Sequence, residues 1–144
     1  EIASCLVGSE MCIRDRGKIA STRKRPSGIR HRTMLRIYGM LDSGNCYKPR
    51  LLMALTGRPF AHVEVSTRDG STRTETFLGR NPIGQCPLLE LEDGRFLGES
   101  GAILNYLGEG TDYVPQDPFD RARMLQWMFF EQNQHEPAMP YGVP

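Results

Sequence analysis

Residues 81–87 read NPIGQCP, and GES follows closely at residues 98–100. Residues 88–97 predict a β-hairpin, because two apolar runs flank a turn of the Asp-Gly kind. A helix is predicted from about Ser100. The sequence therefore places a hairpin directly between a proline-rich loop and a helix start.

Pro87 stands at the head of the first hairpin strand, where a missing backbone N–H is tolerated. We expect its peptide bond to be cis, with the Cys86 backbone exposed as a free strand edge to which a short extended peptide can add. Glu99 and Ser100 lie where the helix begins, and a helix start can receive a carboxylate. Together these features predict a site for a small peptide with a free amino-acid end.

The first half of the domain predicts a strand, a helix, a strand and a short helical turn, at residues 35–38, 45–56, 60–65 and 74–78. Two strands joined by a helix are expected to be parallel, whereas the hairpin adds antiparallel strands. The predicted fold is α/β: a mixed four-stranded sheet with helices on both faces, in the thioredoxin-like βαβ-ββα plan.

These motifs, together with SGNCYK at residues 43–48, resemble the glutathione S-transferase family over residues 34–136. The resemblance implies a cytoplasmic, homodimeric transferase of detoxification. Its co-substrate would be glutathione, and its other substrate a small electrophile. It implies no metal, no nucleic acid and no membrane partner.

Ser43 is the catalytic residue that the resemblance implies, with its hydroxyl donating to the sulfur of glutathione; a plain helix N-cap is the alternative. A thiol with a pKa near ~8.5 is mostly protonated at neutral pH, and a hydrogen bond and the helix N-terminus both favour the thiolate. Asn45 is a second candidate for this contact and could itself be the N-cap. Pro49 departs from the family pattern, since a proline inside a helix costs about 3 kcal/mol.

The glutathione-binding residues implied by the resemblance are Asn45, Gln85, Cys86, Pro87, Glu99 and Ser100. Gln85 contacts the glycyl or cysteinyl portion, or else it is only a solvated loop residue. The Cys86 backbone pairs with the peptide, and its thiol lies near the bound sulfur. Glu99 holds the γ-glutamyl ammonium and Ser100 the carboxylate.

The four cysteines, Cys5, Cys12, Cys46 and Cys86, show neither CxxC nor zinc-finger spacing, so they are interpreted as free thiols. Cys46 follows Ser43 in an SxxC pattern and is expected to face the sheet, with a reserve role as an alternative thiol. A glutaredoxin-like reductase would need a cysteine at position 43. His62 and His135 have no carboxylate–His pattern, and no metal site is assigned.

The head at residues 1–33 does not predict a folded element. It holds eight Lys and Arg against three Asp and Glu, a charge of +5, although the whole chain carries +1. Residues 5–16 resemble a translated sequencing adapter, and acidic residues argue against a signal peptide. We expect a disordered or artefactual head; a basic nucleic-acid or targeting arm is the alternative. The remainder carries −4 and offers no basic stripe.

The predicted domains are a glutathione-binding domain at residues 34–110, a linker at 111–117, and the start of a truncated helical domain at 118–144. Asp117 is the predicted N-cap of a helix that continues to His135. Its apolar spacing is helical at Ala122, Leu125, Met128 and Phe129, and its aromatic residues Trp127, Phe129 and Phe130 are interpreted as core and dimer contacts. Such a fragment is expected to be inactive alone. A non-catalytic module for dimerisation or ligand carriage is the alternative function.

Overall fold

The structure, a computed structural model, describes residues 34–138, and the predicted disordered or artefactual head lies outside the described residues. Its four strands are β1 Leu35–Gly39, β2 Phe60–Glu64, β3 Leu88–Glu90 and β4 Phe96–Gly98. Its four α-helices are α1 Gly44–Leu55, α2 Glu75–Leu78, α3 Ser100–Gly108 and α4 Pro118–Phe130. Short 3-10 segments at Ser71–Arg73 and Glu136–Ala138 and a π-helical turn at Glu131–His135 complete the described elements.

The strands form one mixed sheet in the order β2-β1-β3-β4. Strands β1 and β2 are parallel, whereas β3 is antiparallel to both β1 and β4. This confirms the predicted thioredoxin-like α/β fold. Strand β3 ends before Leu91, because the Leu91 backbone closes the hairpin turn with Arg95 and Gly94. Gly94 has a φ of 85°, which glycine adopts at no steric cost.

Side-chain alternation along β1 and β3 supplies a core on each face of the sheet. On one face, α1 and α3 pack over a buried cluster that consists of Ile37, Leu52, Met53, Leu89, Ile103 and Leu107. On the other face, α2 contributes Phe77, which packs with Tyr38 and Leu88. The predicted placement of helices on both faces is therefore confirmed.

Helix α1 begins one residue earlier than predicted, at Gly44, and Ser43 is its N-cap. The alternative in which Asn45 caps the helix is therefore wrong. Pro49 lies inside the helix and is buried, yet the helix continues to Leu55. Because proline has no N–H, the intrahelical hydrogen bond to the Asn45 carbonyl is missing.

The sequence predicts an apolar set on this helix, at Cys46, Leu51, Leu52, Ala54 and Leu55, and the structure buries only part of it. Cys46 and Leu52 are buried as expected, and Pro49 and Met53 join them. The other members of the predicted set, Leu51, Ala54 and Leu55, are exposed. Residues three and four apart share one face of a helix, so the buried face includes positions 46, 49 and 53.

Gly39 at the end of β1 makes the close approach of α1 possible. A Cβ at this position would lie 2.7 Å from the sulfur of Cys46 and 2.9 Å from its Cβ, closer than side-chain atoms pack. Cys46 is completely buried there. The prediction that Cys46 faces the sheet is confirmed.

The bond between Cys86 and Pro87 is cis, as the sequence predicts. Neither ladder of β3 includes a residue before Leu88, so Gln85 and Cys86 precede the first paired residue of the strand. The loop before Pro87 thus ends at an unpaired extension of a central strand.

Helix α4 begins as predicted, because the Asp117 side chain accepts hydrogen bonds from the N–H groups of Phe119 and Asp120. It ends as an α-helix at Phe130, earlier than the predicted His135, and a π-helical turn follows. In this part of the chain α4 buries no residue, and the aromatic residues Trp127, Phe129 and Phe130 near its end are at least half exposed. They lie outside the core of residues 34–138, and their contacts in a complete helical domain and a dimer stay a prediction. None of the described helices is long and apolar enough to cross a membrane.

Candidate functional site

A cleft of about 150 Å³ opens at the end of the sheet where α1 and α3 begin. It is lined by Asn45, Asn81, Ile83, Gln85, Cys86, Pro87, Gly98, Glu99, Ser100 and Gln132. A larger cleft of about 830 Å³ adjoins it, shares Asn45, Gln85 and Cys86, and also includes Ser43. All seven site residues predicted from the sequence therefore line one of these two adjoining clefts.

The N-termini of two helices contribute to the cleft walls. Ser100 is the first residue of α3 and is almost fully buried, at 3% exposure. Glu99 precedes it with φ 66° and ψ 118°, a conformation that non-glycine residues seldom adopt. Such a conformation persists only where the surrounding structure enforces it, and it is concentrated at functional sites. The unpaired N–H groups at these helix starts favour an anion.

Asn45 connects three elements across the cleft. Its side-chain oxygen accepts hydrogen bonds from Gln132 Nε2 at 2.9 Å and from Ser100 Oγ at 3.4 Å. Its side-chain nitrogen donates to Glu136 at 3.1 Å. Sequence reasoning missed Gln132 and Glu136, because they lie far along the chain and carry no local motif.

Asn81 shapes the loop that carries Gln85 and Cys86. Its side chain is buried, donates to the Gln85 carbonyl at 2.8 Å and accepts from the Ile83 N–H at 3.3 Å. Gly84 has a φ of 66°, and a Cβ there would lie 2.7 Å from the Arg73 guanidinium. Asn81 is the first residue of the NPIGQCP motif, but its role in shaping the loop was not predicted. The signal for this role is that asparagine side chains in turns often hydrogen-bond to nearby backbone groups.

Ser43 already has a partner in the protein. Its hydroxyl oxygen accepts from the Cys46 N–H at 3.4 Å, and the Ser43 side chain also hydrogen-bonds to the Cys46 sulfur. The N-cap interpretation is therefore correct. The same hydroxyl faces the larger cleft, where a bound thiol could become an alternative acceptor for its proton.

The two free thiols among the described residues, Cys46 and Cys86, meet at the wall of the cleft. The hydrogen bond from the Cys86 thiol is the main cause that lowers the pKa of Cys46 to about 6, although burial opposes it and Ser43 and Met40 assist. The same contact and burial raise the pKa of Cys86. The contact therefore favours a negative charge on the Cys46 sulfur while Cys86 keeps its proton. Sequence reasoning had not paired them.

Ion pairs flank the larger cleft. Lys48 Nζ lies 2.7 Å from Glu131, and Arg68 lies 2.7 Å from Asp42. Burial raises the pKa of Glu131, but hydrogen bonds from Gln132 and Lys48 outweigh burial and hold that pKa below its usual range. These charges were also missed from the sequence. Among residues 34–138, no group of three or more His, Cys, Asp or Glu side chains is arranged to hold a metal ion.

The chain is similar to known proteins of one family. The family model described as "Glutathione S-transferase, N-terminal domain" matches residues 33–109. A glutathione S-transferase from Pseudomonas fluorescens superposes with a TM-score of 0.71 at 49% sequence identity, covering 72% of this chain and 52% of that one. A possible glutathione S-transferase from Rhodopseudomonas palustris gives 0.69 at 52% identity, covering 72% and 51%.

Among curated relatives, a maleylacetoacetate isomerase from Rhizobium meliloti is 35% identical over 110 residues, which is 74% of this chain and 51% of the relative. The chain thus spans about half the length of this relative and of the two solved structures.

Proposed function

Because the chain belongs to the glutathione S-transferase family, we propose that its cleft binds glutathione and that the protein stabilises the glutathione thiolate for attack on a small electrophile. One observation carries the proposal. The N-termini of α1 and α3 and the segment Gln85–Cys86, just before β3, all line one cleft. A small anionic peptide with a free amino-acid end matches these three features in charge and shape.

The peptide would bind mainly through backbone and helix-end contacts. The extension of β3 at Gln85 and Cys86 offers an edge for strand addition by the cysteinyl portion. The start of α3 offers the Ser100 hydroxyl and N–H groups to the γ-glutamyl carboxylate, and Glu99 offers a carboxylate to its ammonium. Asn45 and Gln85 would complete the walls on either side.

Ser43 would act on the sulfur. The N-terminus of α1 and the serine hydroxyl both favour an anion, and a thiol with an ordinary pKa needs only ~2.7 kcal/mol of differential interaction to lose two pKa units. The hydrogen bonds of the Ser43 side chain go to Cys46 and not to His135, which lines the same cleft, so Ser43 is not paired with a base as a nucleophilic serine would be. Its role is therefore to donate a hydrogen bond.

The electrophile would enter through the larger cleft beside Ser43 and Tyr47. For the whole protein, the family likeness suggests a homodimer and a cytoplasmic location. We expect this chain, which spans about half the length of its relatives, to be inactive by itself. The alternative, a non-catalytic ligand-binding module, is favoured by one observation: the Ser43 side chain already hydrogen-bonds to Cys46.

Replacement of Ser43 tests the transferase proposal. In Ser43→Ala, the apparent pKa of bound glutathione should rise by about one to two units, whereas the dissociation constant should change little. The measurement is the ultraviolet thiolate absorbance of the glutathione-loaded chain, minus that of the unloaded chain, followed against pH.

Asn45→Ala is the companion variant. If the pH profile shifted in Asn45→Ala and not in Ser43→Ala, the hydrogen bond to sulfur would belong to Asn45. If neither variant shifted the profile, while glutathione still bound, the non-catalytic module would be the better account.

A further inference from the structure

The thiols of Cys46 and Cys86 form a contact pair that glutathione binding alone does not require. The Cys46 sulfur packs against β1 at Gly39, where the lack of a Cβ leaves room for it. A Cβ added to Gly39 would lie 2.7 Å from this sulfur and 3.8 Å from the Cα of Pro87. Cys86 immediately precedes Pro87, and its thiol hydrogen-bonds to the Cys46 sulfur. The Gly39 Cβ position thus lies within 4 Å of both the Cys46 sulfur and the residue next to Cys86, which makes the two cysteines neighbours in the fold.

The two cysteines differ in their access to the cleft. Cys86 lines both adjoining clefts, whereas Cys46 is completely buried behind it. An incoming disulfide therefore meets Cys86 first. Cys46 can be reached only from the Cys86 side, which is the position of a resolving thiol rather than of a first nucleophile.

The charges around the pair suit Cys46 as the resolving thiolate. Hydrogen bonds from Cys86 and Ser43 lower the pKa of Cys46 and favour the negative charge of the pair on Cys46, which can accept the Cys86 proton when Cys86 attacks. Arg50 assists the anion on Cys46, whereas Glu64 opposes an anion on Cys86. A thiolate is the species that attacks a disulfide.

We propose that Cys86 and Cys46 are a thiol–disulfide exchange pair, in which Cys86 accepts a glutathionyl group from glutathione disulfide and Cys46 then displaces it. This inference rests on the proposed glutathione site, which would bring the disulfide to Cys86. The SxxC pattern lacks a first cysteine at position 43, and Cys86 supplies the accessible thiol from the opposite wall.

The exchange balances in two steps. First, Cys86 passes its proton to Cys46 and attacks one sulfur of glutathione disulfide. A Cys86–glutathione disulfide forms, and one glutathione leaves as a thiolate. This thiolate takes the proton back from Cys46. The Cys46 thiolate then attacks the Cys86 sulfur and releases a second glutathione, which takes its proton from water. The protein dithiol is oxidised by two electrons, and glutathione disulfide is reduced to two glutathione molecules.

The test follows the fate of each cysteine by mass spectrometry. The chain carrying Cys5→Ser and Cys12→Ser is reduced, incubated with glutathione disulfide and digested with trypsin, which separates Cys46 in peptide 37–50 from Cys86 in peptide 81–95. We expect these peptides to become linked, and excess glutathione to unlink them. Adding Cys46→Ser should stop the reaction at a glutathionyl group on peptide 81–95, and adding Cys86→Ser should leave Cys46 unmodified.

The exchange pair would be overturned if Cys46 were glutathionylated equally fast in the Cys86→Ser variant, or if Cys86 kept a glutathionyl group and no link formed. A parallel incubation with hydroxyethyl disulfide separates this inference from the glutathione site. Linkage should be at least about tenfold faster with glutathione disulfide, because binding positions it. Equal rates would contradict the glutathione site, whereas the linkage would still support the pair.

Discussion

The thiol of Cys46 is completely buried, yet its pKa is lowered, because hydrogen bonds to its sulfur outweigh desolvation. The hydrogen bond from Cys86 is the largest of these contributions. We therefore predict that Cys86→Ala raises the Cys46 titration midpoint from about 6 toward 9.0. Cys86→Ser is the matched control, because its hydroxyl can still donate and should preserve part of the shift.

The measurement is thiolate absorbance against pH in chains that also carry Cys5→Ser and Cys12→Ser. Because the folded-state pKa lies below the unfolded value of 9.0, ionisation of Cys46 stabilises the fold. This contribution is fully present above about pH 9 and is lost as the pH falls through about 6. Identical midpoints in the parent chain and in Cys86→Ala would contradict the hydrogen bond between the thiols.

At the scale of elements, the contact of β1 with α1 depends on the missing side chain of Gly39. Gly39→Ala would place a Cβ 2.7 Å from the Cys46 sulfur, so we predict a loss of about 1–3 kcal/mol in the free energy of unfolding in urea. Gly44→Ala is the control on the same helix: a Cβ there meets nothing within 4 Å, and the change should stabilise α1 by roughly 0.5–1 kcal/mol.

The paired variant Gly39→Ala with Cys46→Ala identifies the cause. Removal of the sulfur takes away the atom that the new Cβ would meet, so the double variant should lose less stability than the two single losses combined. Strict additivity would mean that Gly39 matters for some reason other than the approach of α1.

At the scale of the whole molecule, the sequence predicted what local chemistry dictates. The Asp-Gly hairpin, the cis bond before Pro87 and the Asp117 cap each depend on residues close in the chain, and the structure has all three. The alternation of apolar residues along the strands then predicted a sheet with helices on both faces, because each strand and helix must bury its apolar side.

Contacts between distant residues were not predictable in this way. Asn45 meets Gln132 and Glu136 across more than eighty positions, and the Cys46–Cys86 contact joins a helix to a loop. No spacing rule connects such residues. Pro49 was expected to disturb α1, but the helix tolerates it because its ring fills a buried position and costs one backbone hydrogen bond.

If the start of α3 and the residues just before β3 bind glutathione, calorimetric titration should show weaker binding to Ser100→Ala. Loss of a hydrogen bond to a charged carboxylate should cost about 1.5–3 kcal/mol, which weakens glutathione binding roughly ten- to a hundredfold. Thr76→Ala is the control, because it removes an exposed hydroxyl on α2, outside both clefts, and should leave affinity unchanged. An unchanged dissociation constant in a folded Ser100→Ala chain would contradict the account, since the γ-glutamyl carboxylate would then bind elsewhere.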